Sequence, residues 1–167
     1  MGSLPSPRQV RARLRRLRQL QGPSEVLLFV RVVAVALAVP LFVRLPLPRQ
    51  AALLAPRPRP GRAKTPGPGA GRRDPEAIDR LTRCVALAQE VGRPLVRPGC
   101  LTRGITLYWF LGRQDDEIEL CFGLGHPDES PTFAGHCWLS RSGVPFLERT
   151  DPTESFGVVY RIPAAAP

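Results

Sequence analysis

CLTRGITLYWFLGRQDDEIELCFGLG, residues 100–125, changes its period part-way along. From Cys100 to Leu111 the stretch is apolar at helical spacing, and Gly112 ends it. Beyond it, Ile118, Leu120, Phe122 and Leu124 alternate with Glu117, Glu119, Cys121 and Gly123, the two-residue period of a strand. Upstream, Asp74-Pro75-Glu76 reads as an N-cap, a proline at the first helical position and an acid in the first turn. Ile78, Leu81, Val85, Ala88 and Val91 follow at helical spacing, and Gly92 stops that helix. Downstream, a loop with Gly125, Pro127 and Pro131 leads into a strand from Phe133 to Ser140. Arg141-Ser142-Gly143 then turns the chain into VPFLE, and FGVVYRI closes the unit. Helices first and an antiparallel sheet afterwards is an α+β order.

The front of the chain is different. Of 167 residues, 20 are proline and 15 glycine, too many for one compact unit. Residues 1–73 hold 15 of the 24 basic residues and a single acid, Glu25, for a net charge of +14, whereas residues 74–167 carry −4. Between 55 and 73 prolines alternate with arginines and glycines, a composition that stays extended because it has too little apolar surface to bury. Three segments result: a basic and apolar helical segment over 1–54, a linker over 55–73, and a domain over 74–163.

Within the first segment, RQVRARLRRLRQL (8–20) places Val10, Leu14, Leu17 and Leu20 on one helical face among arginines. Such a helix either docks on the surface of a domain or lies on an anionic membrane. Gly22-Pro23-Ser24 breaks it, and Ser24 is the expected cap of the next helix. Residues 25–43 are nearly all apolar, but Arg31 and Arg44 leave an uninterrupted run of only 12 residues, and that run contains Pro40. A membrane span needs about 20 apolar residues, and an arginine at the centre of one costs roughly 2.5–3.5 kcal/mol. The expectation is a buried or membrane-apposed helix, with anionic membrane contact through residues 8–44. Phe29 and Phe42 are the only aromatics before residue 100 and no basic–aromatic interleaving occurs, so nucleic acid is not an expected partner.

Four cysteines, Cys84, Cys100, Cys121 and Cys137, are spaced 16, 21 and 16 apart, with no CxxC or CxxH pair to chelate zinc. No metal or cofactor is expected. Three of them lie in apolar runs where a free thiol packs as a small hydrophobe, which points to a reducing, cytoplasmic setting. Cys100 stands apart: it follows Pro98-Gly99 and begins a helix, where the dipole and free N–H groups favour a thiolate and a developing oxyanion. The chain has two histidines. His126 lies in a Gly/Pro/Asp loop, and His136 lies on a strand with Ala134, Trp138 and Ser140 on its face. A thiol at a helix start and a histidine on a later strand is the pairing thiol hydrolases use. The third member holds the imidazole tautomer. Glu148, brought back level with or just past His136 by the 141–143 turn, and Asp151 both qualify; asparagine is absent from the chain. Trp138 either walls this site or packs in the core.

GRPLVRPGCLTRGITLYWFL, LCFGLG, FAGHCWLSRSGVPFLE and YRIP together resemble the transglutaminase-like leader peptidases of lasso-peptide biosynthesis, the microcin-processing B protein type, over residues 74–163. The resemblance implies a papain-like fold and a Cys–His–Asp triad that cuts the leader from a ribosomally made precursor peptide, with Cys100 as nucleophile and His136 as base. The family's aspartate position falls on Glu148, one methylene longer, which leaves Asp151 in competition. Residues 1–73 do not resemble the winged-helix module that grips leaders in this family, so a separate leader-recognition protein and a macrocycle-forming enzyme are implied partners. Acyl transfer to an amine, and an inactive membrane-apposed scaffold of the same fold, are the competing readings.

Overall fold

The computed structural model describes residues 22–55, 74–93, 95–113, 115–125 and 134–163, together with Leu17 and Leu20. Among the described residues, four complete helices precede a four-stranded sheet: α1 (Pro23–Phe42), α2 (Leu47–Leu54), α3 (Pro75–Val91), α4 (Cys100–Phe110), then β1 (Ile118–Gly125), β2 (Gly135–Arg141), β3 (Val144–Phe146), a 3₁₀ turn (Pro152–Glu154) and β4 (Phe156–Ile162). The sheet is antiparallel throughout, in the order β3-β2-β1-β4. The helix-then-sheet order read from the sequence is the order found.

Local chemistry accounts for the elements that position the site. The Asp74 carboxylate accepts from the Glu76 N–H at 3.1 Å, capping α3 ahead of Pro75. Ser142 and Gly143 both take positive φ, 51° and 82°, as a tight hairpin between β2 and β3 requires. One expectation fails. Ser24 does not cap α1; the helix begins at Pro23 with Gly22 at the cap position and no side-chain bond. Proline's fixed φ suits the first helical position, where a missing N–H costs no intrahelical bond, so the helix starts at Pro23, ahead of Ser24. Pro40 lies inside α1, two residues before its last residue, Phe42. The basic stretch 8–20 falls outside the described residues except for Leu17 and Leu20, and His126 falls outside them altogether.

Helices and sheet share one core. Val32 and Val39 of α1, Leu81 and Val85 of α3, Leu107 of α4, and Leu120 and Leu139 of the sheet belong to a single buried cluster. Each such side chain contributes roughly 1.5–3 kcal/mol by leaving water. β2 keeps its two faces apart. Cys137 and Leu139 enter the core beneath the helices, and His136 and Trp138 stack on one another on the other face. α4 crosses β2 closely because Gly104 has no side chain: a Cβ there would sit 2.8 Å from Cys137 Sγ. This close crossing sets the helix that begins at Cys100 against the strand that carries His136.

Candidate active site

Cys100 is the first residue of α4. The loop before it is tied down from α3, where Gln89 Nε2 donates to the Gly99 carbonyl at 3.0 Å, and the same carbonyl accepts the Arg103 N–H at 3.0 Å to open the helix. The first N–H groups of α4 have no partner within the helix and carry its positive dipole end. The approach over Gly99 is open: a Cβ built there meets nothing within 4 Å. Cys100 is half-buried, whereas Cys84, Cys121 and Cys137 are buried, and all four thiols are free. Burial pushes the Cys84, Cys121 and Cys137 thiols up, Cys137 most of all, with Cys100, Cys121 and Glu148 adding to the shift at Cys137 and Arg103 opposing it. Three of the four sulfurs are thereby held as inert thiols.

His136 is the second residue of β2 and remains partly open to solvent. Its ring lies between two aromatics, 5.8 Å from Trp138 at 18° and 5.1 Å from Phe156 at 30°. Trp138 is 1% exposed, so it is at once a wall for the imidazole and a packed residue. Room for it comes from β1. Gly123 pairs with His136 across the ladder, and a Cβ at Gly123 would lie 2.7 Å from the indole ring and 3.0 Å from Phe156 Cβ. The β1–β4 register shifts at that same place, between Phe122 and Gly123.

The two acids behave differently. β3 ends at Phe146, and the next residue, Leu147, takes φ 61°, a left-handed conformation uncommon for a branched side chain. Glu148 follows, with its Oε2 3.8 Å from His136 Nε2. Its other oxygen, Oε1, accepts a hydrogen bond and ion pair from Arg103 Nη1, while Arg103 Nη2 donates to the Leu147 carbonyl. Asp151 is engaged locally instead. Its carboxylate caps the 3₁₀ turn by accepting from the Thr153 N–H at 2.8 Å and the Thr153 hydroxyl at 2.6 Å, which hold its carboxyl below the usual range.

His136 and Glu148 are therefore brought together, and Arg103 ties Glu148 to the first turn of the helix that Cys100 begins. No hydrogen bond among the described residues joins Cys100 to His136. Thiol–imidazole bonds in unliganded sites are often long and tighten with substrate. Arg103 is the residue that the motif reading passed over; its signal in the sequence is a lone cation in the first turn of an otherwise apolar helix. No group of His, Cys, Asp and Glu among the described residues is arranged to hold a metal.

A helix that starts on a cysteine, an antiparallel sheet that carries a histidine, and an acid beside its Nε2 are the kinds of group that thiol acyl transfer uses. The family model of the transglutaminase-like superfamily matches residues 41–161. The chain belongs to that superfamily. The match opens in the last turn of α1 and runs into β4, so it takes in α2, α3, α4 and all of the sheet but Ile162. No curated protein and no solved structure matches the chain. The superfamily's α+β thiol-hydrolase or acyltransferase fold is thus the fold of this protein.

Proposed function

We propose that this protein is a cysteine peptidase that removes the leader from a ribosomally made precursor peptide, as in lasso-peptide-type biosynthesis. The observation that carries the reading is the Glu148 carboxylate, which faces His136 Nε2 with one oxygen and is held by Arg103 to the helix of Cys100 with the other. An acid on Nε2 leaves Nδ1 of the imidazole for the thiol.

His136 takes the proton from Cys100 Sγ, and the thiolate attacks the carbonyl carbon of the scissile peptide bond. The carbonyl oxygen becomes an oxyanion opposite the unpaired N–H groups at the start of α4. The intermediate collapses, the C–N bond breaks, and His136 gives its proton to the departing amine. Water then attacks the thioester, passes a proton to His136 and leaves the leader as a carboxylic acid with Cys100 restored. Glu148 keeps the ring oriented and stabilises the imidazolium. Leader recognition falls to a separate protein, and the released core passes to a macrocycle-forming enzyme.

The test incubates the purified protein with a precursor peptide and its leader-binding partner in heavy-oxygen water, beside the Cys100→Ala variant. The expected result is a freed leader whose new carboxylate carries heavy oxygen, absent with the variant. Amine adducts in place of hydrolysis would make the chemistry acyl transfer, and equal processing by Cys100→Ala would remove the nucleophile assignment.

A further inference from the structure

α1 presents two apolar faces and the domain covers one of them. Val32, Ala36 and Val39 are buried against α3 and α4. On the opposite face Leu27, Val30, Ala34, Leu37 and Leu41 recur at three- or four-residue spacing, all exposed, with Leu27, Val30 and Leu41 at 61%, 56% and 66%. From Val26 to Val43 the helix carries one polar side chain, Arg31, whose guanidinium lies over the Phe110 ring at 5.7 Å. A helix on the outside of a soluble domain ordinarily turns charged and polar residues to water. This stripe runs about 21 Å at 1.5 Å per residue.

Charge identifies what covers it. In sequence, six arginines between residues 8 and 18 precede the apolar stripe and Arg44 and Arg49 follow it, and Glu25 is the only acid in residues 1–73. An apolar stripe with cationic flanks matches the acyl boundary and headgroups of an anionic bilayer. Insertion across the bilayer is a different outcome, although the helix is long and apolar enough for it. It would require Val32 and Val39 to leave the core they share with α3 and α4.

We infer that α1 lies in the plane of an anionic membrane surface, with its Leu27–Leu41 stripe in the acyl boundary and its Val32–Val39 face on the domain. The inference does not depend on the peptidase reading, since no step of that chemistry uses α1. The test is flotation of the full chain with vesicles of phosphatidylcholine and phosphatidylglycerol at 7:3, beside pure phosphatidylcholine, followed by an alkaline carbonate wash. At least tenfold more protein floats with the anionic vesicles than with the neutral ones, high salt weakens the binding, and carbonate releases it. The triple variant Leu27→Glu, Leu37→Glu, Leu41→Glu stays unbound with an unchanged circular dichroism spectrum. If the variant loses its helical spectrum, the single Leu41→Glu change, at the most exposed of these positions, takes its place, and binding equal to the parent overturns the inference. Equal flotation with both lipids, no flotation, or resistance to carbonate overturns it too. So does a concentration-dependent dimer that the triple variant abolishes, which would assign the stripe to a second copy of the chain.

Discussion

Glu148 turns one carboxylate oxygen to Arg103 and the other to His136 Nε2, 3.8 Å away. These three side chains come from α4, the segment after β3 and β2, so the carboxylate links the first turn of a helix to a strand. Arg103 also holds the Leu147 carbonyl, and with it the left-handed turn that aims Glu148 back toward the sheet. A planar guanidinium makes both bonds at once, which an ammonium does less well.

Glu148→Gln lowers kcat for peptide cleavage by on the order of 10²–10⁴-fold, the usual worth of a positioned acid–base system. Arg103→Ala lowers it too, with a changed pH–rate profile, and Arg103→Lys recovers only part. Asp151→Ala stays near the parent rate because its carboxylate serves the Thr153 turn. Steady-state kinetics of the four variants across pH separates the two acids. A large loss with Asp151→Ala and none with Glu148→Gln would reverse the assignment.

Iodoacetamide at mildly acid pH labels Cys100 first. Cys84, Cys121 and Cys137 are 1%, 1% and 3% exposed, and burial pushes all three thiols up, so neither access nor thiolate favours them. Peptide mapping by mass spectrometry reads the order of labelling, and uniform slow labelling would leave Cys100 unactivated.

Gly123→Ala strains the wall behind His136. The added methyl meets the indole ring of Trp138 at 2.7 Å, and overpacking of this kind costs about 1–3 kcal/mol. A lowered denaturation midpoint accompanies a fall in kcat, because the indole stacks on the imidazole. Unchanged stability would show that Trp138 has somewhere to go.

Tyr108 is fully buried, and its hydroxyl has no partner among the described residues. Burial, assisted by Glu119, pushes its hydroxyl from 10.0 up to about 12. The folded state therefore holds the proton longer than the unfolded chain. Stability from this residue is complete below pH 10.0 and is lost as pH rises toward about 12. Alkaline melts of the parent and Tyr108→Phe read it: the phenylalanine variant loses less stability across that window. At neutral pH it is as stable as the parent or more so, since removing an unpaired buried hydroxyl gives up no hydrogen bond.

Much of the fold is legible as local pattern. The helical spacing after Asp74, the helix from Cys100, the alternation over Ile118–Leu124 and the Ser142-Gly143 turn each depend on a few neighbouring residues, and each appears where the sequence places it. The two faces of β2 are legible for the same reason, since alternation alone puts Trp138 with His136 and Cys137 with Leu139. Where one residue decides between near-equal options, locality falls short. Pro23 starts α1 ahead of Ser24 because its fixed φ already suits the first helical position.

The sequence by itself determined the elements, their order, and a cysteine at a helix start that differs from three others in apolar runs. Only the tertiary structure decided which acid faces His136, because that choice turns on Leu147 entering a left-handed conformation and on a guanidinium 45 residues away that holds Glu148 in place. Only the tertiary structure, too, decided which side of α1 is covered. Its residues are apolar all round, so no periodicity marks the buried face, and Val32, Ala36 and Val39 are chosen by the surfaces of α3 and α4 that meet them.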